Sequence, residues 1–176
     1  MPIVKPFRPK RRTINAAAEN GDIESIMFHL LEGVDINSRN ANGFFPLGGA
    51  VHFGHQQAVG YLIDHGADIN MLTVLNWSPL YIAAWRRHLD VAKILLKAGA
   101  NTKGRTLHCD YGPSQAGFTA LHAAALNGDS KMARLLLKYG ADPRKRAAGR
   151  LPEDVARNEG HIAVARILGA NRRACS

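Results

Sequence analysis

Four stretches of this chain can be laid over one another residue by residue: FPLGGAVHFGH from Phe45, SPLYIAAWRRH from Ser78, TALHAAALNGD from Thr119 and LPEDVARNEGH from Leu151. A fifth, TINAAAENGD from Thr13, matches the later part of the same pattern. The residues at the Pro46 position are Thr13, Pro46, Pro79, Ala120 and Pro152, spaced 33, 33, 41 and 32 apart. The first four units in chain order are each followed by an apolar-periodic stretch and a glycine turn: LLEGVDIN, LIDHGADIN, LLKAGANTK and LLKYGADPR. A period of this length means stacked supersecondary units, and no other feature restricts the fold so strongly. Five matches in register exclude coincidence.

The chemistry of each unit reads as helix, turn, helix. Ser78 and Thr119 stand where a hydroxyl can cap a first helix. Pro46 and Pro79 occupy its first position, where a missing N–H costs nothing. Ala17-Ala18, Ala50, Ala83-Ala84 and Ala124-Ala125 let the two helices approach closely. Gly21, Gly54, Gly128 and Gly160 suit the left-handed turn between helices. The second helices then bury Ile26 and Leu30; Val59, Leu62 and Ile63; Val91, Leu95 and Leu96; and Met132, Leu136 and Leu137.

Residues 13–170 on these grounds resemble the ankyrin-repeat family. The resemblance implies an all-α solenoid of antiparallel helix pairs with β-turn or hairpin fingers between repeats. The units expected are 13–38, 39–71, 72–103, 104–143 and 144–170, between a basic tail at 1–12 and a short basic tail at 171–176. No unit buries its apolar face alone, so end repeats must be adapted to water. Glu19, Asn20, Asp22 and Glu24 do this in the first unit. In the last, Glu153 replaces a leucine and the second helix gives out at Leu168-Gly169. The array reads as complete, not cut from a longer solenoid.

Bulk properties narrow the function. No apolar run approaches the roughly 18 residues of a membrane span, and the basic N-terminus lacks the apolar core of a secretory signal. Cys109 and Cys175 form no CxxC pair, as expected of a reducing compartment, cytoplasmic or nuclear. The charge of +9 is unevenly placed: residues 1–13 hold five Lys/Arg and no acid, and residues 131–176 hold eleven against four Asp/Glu. Basicity thus belongs to the ends. Lys5, Arg8, Lys10, Arg11 and Arg12, with PRKRAAGR, resemble import or phosphate-binding clusters, which makes nucleic-acid association the second functional expectation.

Departures from the pattern carry further information. Arg87 replaces the inter-helix glycine; either the turn adjusts or Trp85, Arg86 and Arg87 anchor a partner. The longer third spacing inserts eight residues before Thr119, making 103–117 an elongated finger or loop. Its His108-Cys109-Asp110 triplet cannot converge on one ion, so no metal is expected. The histidine of the family's TPLH motif survives only as His122, where the resemblance implies a structural role tying neighbouring turns. No Ser-His-Asp order and no phosphate loop is present, so catalysis and a cofactor are not expected.

The expected site is the concave face. Finger glycines fall at Gly43, Asn76, Gly117 and Gly149, and the residues that follow, Phe44, Trp77 and Phe118, predict an exposed aromatic ridge, with Arg150 after them. A second row on the first helices reads Phe53, Trp85-Arg86 and Leu126. Aromatic residues beside arginine supply much of the energy at protein interfaces. A monomeric adaptor, scaffold or inhibitory subunit binding a protein partner is the leading functional expectation. Leu62, Asp68, Ile69 and Asn70 also resemble the site of ankyrin asparaginyl hydroxylation, making Asn70 a candidate for modification.

Overall fold

The computed structural model describes residues 13–104, 106 and 117–174. Among the described residues ten helices follow one another in five pairs: α1 Ile14–Glu19 and α2 Ile23–Leu31; α3 Pro46–Phe53 and α4 Gln56–Asp64; α5 Pro79–Trp85 and α6 Leu89–Lys97; α7 Ala120–Leu126 and α8 Ser130–Lys138; α9 Pro152–Asn158 and α10 Ile162–Ala174. The described residues contain no strand, only an isolated bridge between Ala147 and Arg150. Every pair of helices in substantial contact lies either within one unit or at equivalent places in successive units. The molecule is therefore a two-layer stack: α1, α3, α5, α7 and α9 form the inner layer, and the even-numbered helices the outer one.

The expected local devices form this stack. Ser78 accepts from the Tyr81 N–H as expected, while Thr13, aligned with the N1 residue Pro46, stands instead one place before its helix and caps it by accepting from the Ala16 N–H. Where the layers meet, Ala17, Ala18, Ala50, Ala83, Ala84, Ala124, Ala125 and Ala156 are fully buried, so the helices approach at backbone distance. Ile26, Val59, Leu62, Val91, Leu95, Met132 and Leu136 fill the space behind them.

Each finger is closed at its base. Asn40 donates to the Phe44 carbonyl at 2.8 Å, Thr73 to Trp77 at 3.1 Å, Thr106 to Phe118 at 3.0 Å and Ala147 to Arg150 at 2.9 Å. The eight extra residues thus fall between Thr106 and Gly117, and the bond that joins Thr106 to Phe118 keeps the register of the other fingers. The stretch read as an elongated finger or loop, with His108, Cys109 and Asp110, lies outside the described residues, as do residues 1–12.

The C-terminal end departs from expectation in two places. Glu153 is not turned to water: it is buried, with carboxylate oxygens 2.7 Å from Arg157 and 3.1 Å from Arg172. Gly169 leaves room for it, since a Cβ there would stand 2.8 Å from Oε1. Helix α10 accordingly runs past Leu168-Gly169 to Ala174, because Arg172 is held against the last inner helix. The stretch read as a second basic tail is helical through Ala174.

Candidate functional site

The residue after each finger glycine does turn toward the inner helices, but the predicted exposed ridge is not there. The turn itself forms as expected, with φ of +72° at Gly43, +60° at Asn76 and +79° at Gly117. Phe118 is 1% and Trp77 9% exposed. Each ring folds back over its own first helix: Phe118 stacks on His122 at 4.9 Å between centroids, and Trp77 packs on Tyr81 at 5.5 Å. The side chain at this position is long enough to reach a ring one turn into the helix, and apolar burial draws it there. Only Phe44 is left half-exposed, because its unit has Gly48 where Tyr81 and His122 stand.

What remains open to solvent lies along the C-terminal turn of the inner helices. His52, Trp85 and Leu126 occupy one register position, and Phe53, Arg86 and Asn127 the next. Phe53 therefore stands one place out of line with Trp85 and Leu126, and beside Arg86. It is 56% exposed, a large ring with little cover. Trp85 is half-buried, stacked on Tyr81 at 6.4 Å and 14°, while Arg86 and Arg87 are exposed. The Arg86 guanidinium meets the His52 ring, joining the second and third units across this face. Burial, then the charge of Arg86 and then that of His88 hold the His52 pKa below the ordinary histidine value. His52 is neutral at pH 7, and its imidazole presents an apolar edge to Phe44 at 6.2 Å and Phe53 at 5.0 Å. Against these three rings lies a cavity of about 170 Å³, with Gly49 as its floor and Glu19, Asn40 and Asn42 on its rim.

Comparison with known proteins agrees with this architecture. The family model for ankyrin repeats in three copies matches residues 14–106, and the single ankyrin-repeat model matches 116–148. The chain is an ankyrin-repeat protein. It is similar to the mouse B-cell lymphoma 3 protein homolog, with 34% identity over 110 residues, 62% of this chain and 23% of that protein. It is similar to the chicken nuclear factor NF-kappa-B p105 subunit, with 30% identity over 180 residues, 97% of this chain and 17% of that one. A putative ankyrin repeat protein of Rickettsia felis is 36% identical over 106 residues, 55% of this chain and 43% of that protein. The chain spans about a fifth of the length of the mouse and chicken proteins. Ankyrin repeats are non-catalytic modules of protein–protein interaction.

Within the ankyrin array, the joints between repeats explain Arg87. His55, His88 and His161 each send Nε2 to a carbonyl of the preceding repeat: Glu19 at 2.9 Å, His52 at 3.1 Å and Leu126 at 3.1 Å. Each ring lies on the preceding turn glycine. A Cβ on Gly21, Gly54 or Gly128 would come within 2.7–2.8 Å of the imidazole. Glycine is thus required twice, for a φ near +70° and for the space. At the remaining joint the histidine is replaced by Asp129, and Asn127 instead donates to the Trp85 carbonyl at 2.8 Å. With no ring above it, the turn tolerates a Cβ, and Arg87 sits there at φ +63°. The turn has not adjusted: arginine adopts the left-handed conformation at a cost of about 1–2 kcal/mol. Sequence reading missed these histidines because the signal pairs a glycine of one repeat with a histidine of the next.

His122 works as the family resemblance implies. Its Nδ1 accepts from the Thr119 N–H at 3.3 Å and lies 2.9 Å from the Thr119 hydroxyl, while Nε2 reaches the Arg150 carbonyl of the next finger at 3.3 Å. Asn70 is exposed, and its Oδ1 accepts from the Asn101 N–H at 2.9 Å, as Asn37 does from Asp68. These side chains bridge the loops of adjacent ankyrin repeats. Among the described residues no group of His, Cys, Asp or Glu could hold a metal ion, and no helix is long and apolar enough to cross a membrane. The basic residues Lys5, Arg8, Lys10, Arg11 and Arg12 lie outside the described residues.

Proposed function

We propose that this protein is an adaptor, scaffold or inhibitory subunit that holds one protein partner along the finger side of its inner helices. The observation that carries the reading is a strip in which exposed Phe53 and Arg86 stand beside half-buried Phe44, His52, Trp85 and Leu126. Exposed apolar surface of this kind, bordered by an arginine, Asn42 and Asn127, has the composition of an interaction site. The buried Trp77 and Phe118 support the strip from beneath without touching a partner. On this reading the protein acts as a monomer, in the cytoplasm or nucleus. The test is selection of peptides from a random display library on the wild-type protein, followed by affinity measurement against Phe53→Ala and Arg86→Ala. Both residues are exposed, so the fold is retained; loss of about tenfold or more in each supports the face. Unchanged affinity in both overturns it.

One observation favours a second reading. Lys93, Arg134 and Arg166 share a register position on α6, α8 and α10, and Lys97 and Lys138 share another. These five cations lie along the outer helices of the last three repeats, Lys93 paired with Asp90. A polyanion such as single-stranded nucleic acid could lie there through its phosphates. Its binding would weaken steeply with added salt, whereas binding at the aromatic strip would weaken little.

A further inference from the structure

A cavity lies between the first and second repeats. Gly49 leaves it open; the equivalent positions in later repeats carry Ile82, Ala123 and Val155. Two glycines inside α3 cost about 1 kcal/mol each relative to alanine. Gly48 is explained by packing, since a Cβ there would meet the Phe45 ring at 3.1 Å. At Gly49 the nearest group to an added Cβ is the Glu19 side chain, at 2.8 Å. The missing side chain thus lets the Glu19 stem pack against the Gly49 backbone, and Glu19 lines the hole together with Phe44 and Phe53.

Glu19 is half-buried and, among the described residues, has neither an ion pair nor a side-chain hydrogen bond. Among the described residues no basic side chain is paired with it. Residues 13–76 contain seven Asp/Glu against Arg39 alone. Arg39 is engaged elsewhere, donating to the Gly43 and Leu72 carbonyls with its guanidinium over the Phe45 ring. Arg86, on the next inner helix, is engaged by the His52 ring. An unpaired acid at the end of an aromatic-walled hole selects a cation with a flat, weakly hydrated head. A lysine ammonium would keep its water; a guanidinium stacks on rings and shares its N–H groups between a carboxylate and the Asn42 amide.

We infer that this cavity is the anchor pocket for an arginine side chain of the protein partner, a proposal that rests on the finger-side binding face described above. The probe is a set of blocked tripeptides, acetyl-Gly-X-Gly-amide with X as Arg, Lys, Gln, Leu or Glu, titrated into the full-length protein and followed by amide NMR shifts. The Arg peptide should bind and move the signals of Glu19, Phe44, Gly49 and Phe53. The Lys peptide should bind more weakly, and the other three not at this place. Glu19→Gln should weaken the Arg peptide about tenfold, the effect of one lost charge-assisted contact. Gly49→Ile, which fills the hole as Ile82 does in the next repeat, should abolish the shifts; if that variant misfolds, Glu19→Gln decides alone. Equal binding of the Leu peptide, or an unchanged Glu19→Gln titration, overturns the assignment. So does binding that appears only in the full-length variant Arg8→Ser/Arg11→Ser/Arg12→Ser, which would make this chain's own N-terminal segment the occupant. The display-selected peptides separate the two levels. If they depend on Phe53 and Arg86 but neither contain arginine nor respond to Glu19→Gln, the pocket assignment fails and the face stands. If they ignore Phe53 and Arg86 as well, both fail.

Discussion

Replacing Gly128 by alanine isolates the joint between the fourth and fifth repeats. Gly128 has φ +65°, and a Cβ there would stand 2.7 Å from Nδ1 of His161. Gly140 has φ +81° with nothing within 4 Å of an added Cβ, so it serves as the internal reference. Gly140→Ala costs backbone strain alone, about 1–2 kcal/mol. Gly128→Ala costs the same strain and also displaces the imidazole from the Leu126 carbonyl, at 3.1 Å in the native protein. Losing that bond at a half-buried joint adds about 1–2 kcal/mol. Urea unfolding followed by circular dichroism should therefore place Gly128→Ala about 1–2 kcal/mol below Gly140→Ala. In a His161→Ala background the ring is absent, and the two alanine substitutions should cost the same. Agreement of Gly128→Ala and Gly140→Ala in the wild-type background, within about 0.3 kcal/mol, would refute the reasoning.

The third joint offers the reciprocal experiment. Asp129→His places a ring against the Cβ of Arg87 and should destabilise by about 1 kcal/mol or more, the loss of the Asp129 cap on Met132 included. Adding Arg87→Gly should recover most of that loss, a sign of coupling that unfolding midpoints of the single and double variants would reveal. Phe118→Ala should cost about 3–5 kcal/mol, as for a fully buried ring, whereas Phe53→Ala should stay within about 0.5 kcal/mol; equal costs in unfolding titrations would contradict the burial described. The ring of His52 should titrate below the ordinary histidine value, and Arg86→Ala should move its NMR midpoint upward though not fully, because burial remains. Since the folded pKa is the lower one, the unfolded chain binds the proton more readily; stability should be full above about pH 6.5 and fall as the pH drops below it. His52→Gln should flatten that decline.

The helices were legible because each turns on local chemistry. The hydroxyl caps Thr13 and Ser78, the N1 prolines Pro46, Pro79 and Pro152, the buried alanines and the glycine turns each act within a few residues of themselves. The candidate site was legible only in part. Phe53, Trp85, Arg86 and Leu126 do line the inner-helix face, but Trp77 and Phe118 are core. Their burial depends on the ring four residues along the helix, Tyr81 or His122, and Phe44 differs because Gly48 supplies none. Glu153 read as a solvated cap residue, and its burial depends on Arg172, nineteen residues away. The histidine joints were hidden for the same reason. Within one repeat His88 follows an arginine and looks ordinary; over Gly54 of the repeat before, its ring accounts for a glycine.

The claim that the finger side of the inner helices binds a protein is tested most directly by mapping where a selected partner sits. A tight-binding peptide from the display library, titrated into labelled full-length protein, should shift the signals of Phe44, His52, Phe53, Trp85, Arg86 and Leu126. Those of Lys93, Arg134 and Arg166 on the outer helices should stay unmoved. Shifts confined to the outer helices would contradict the account.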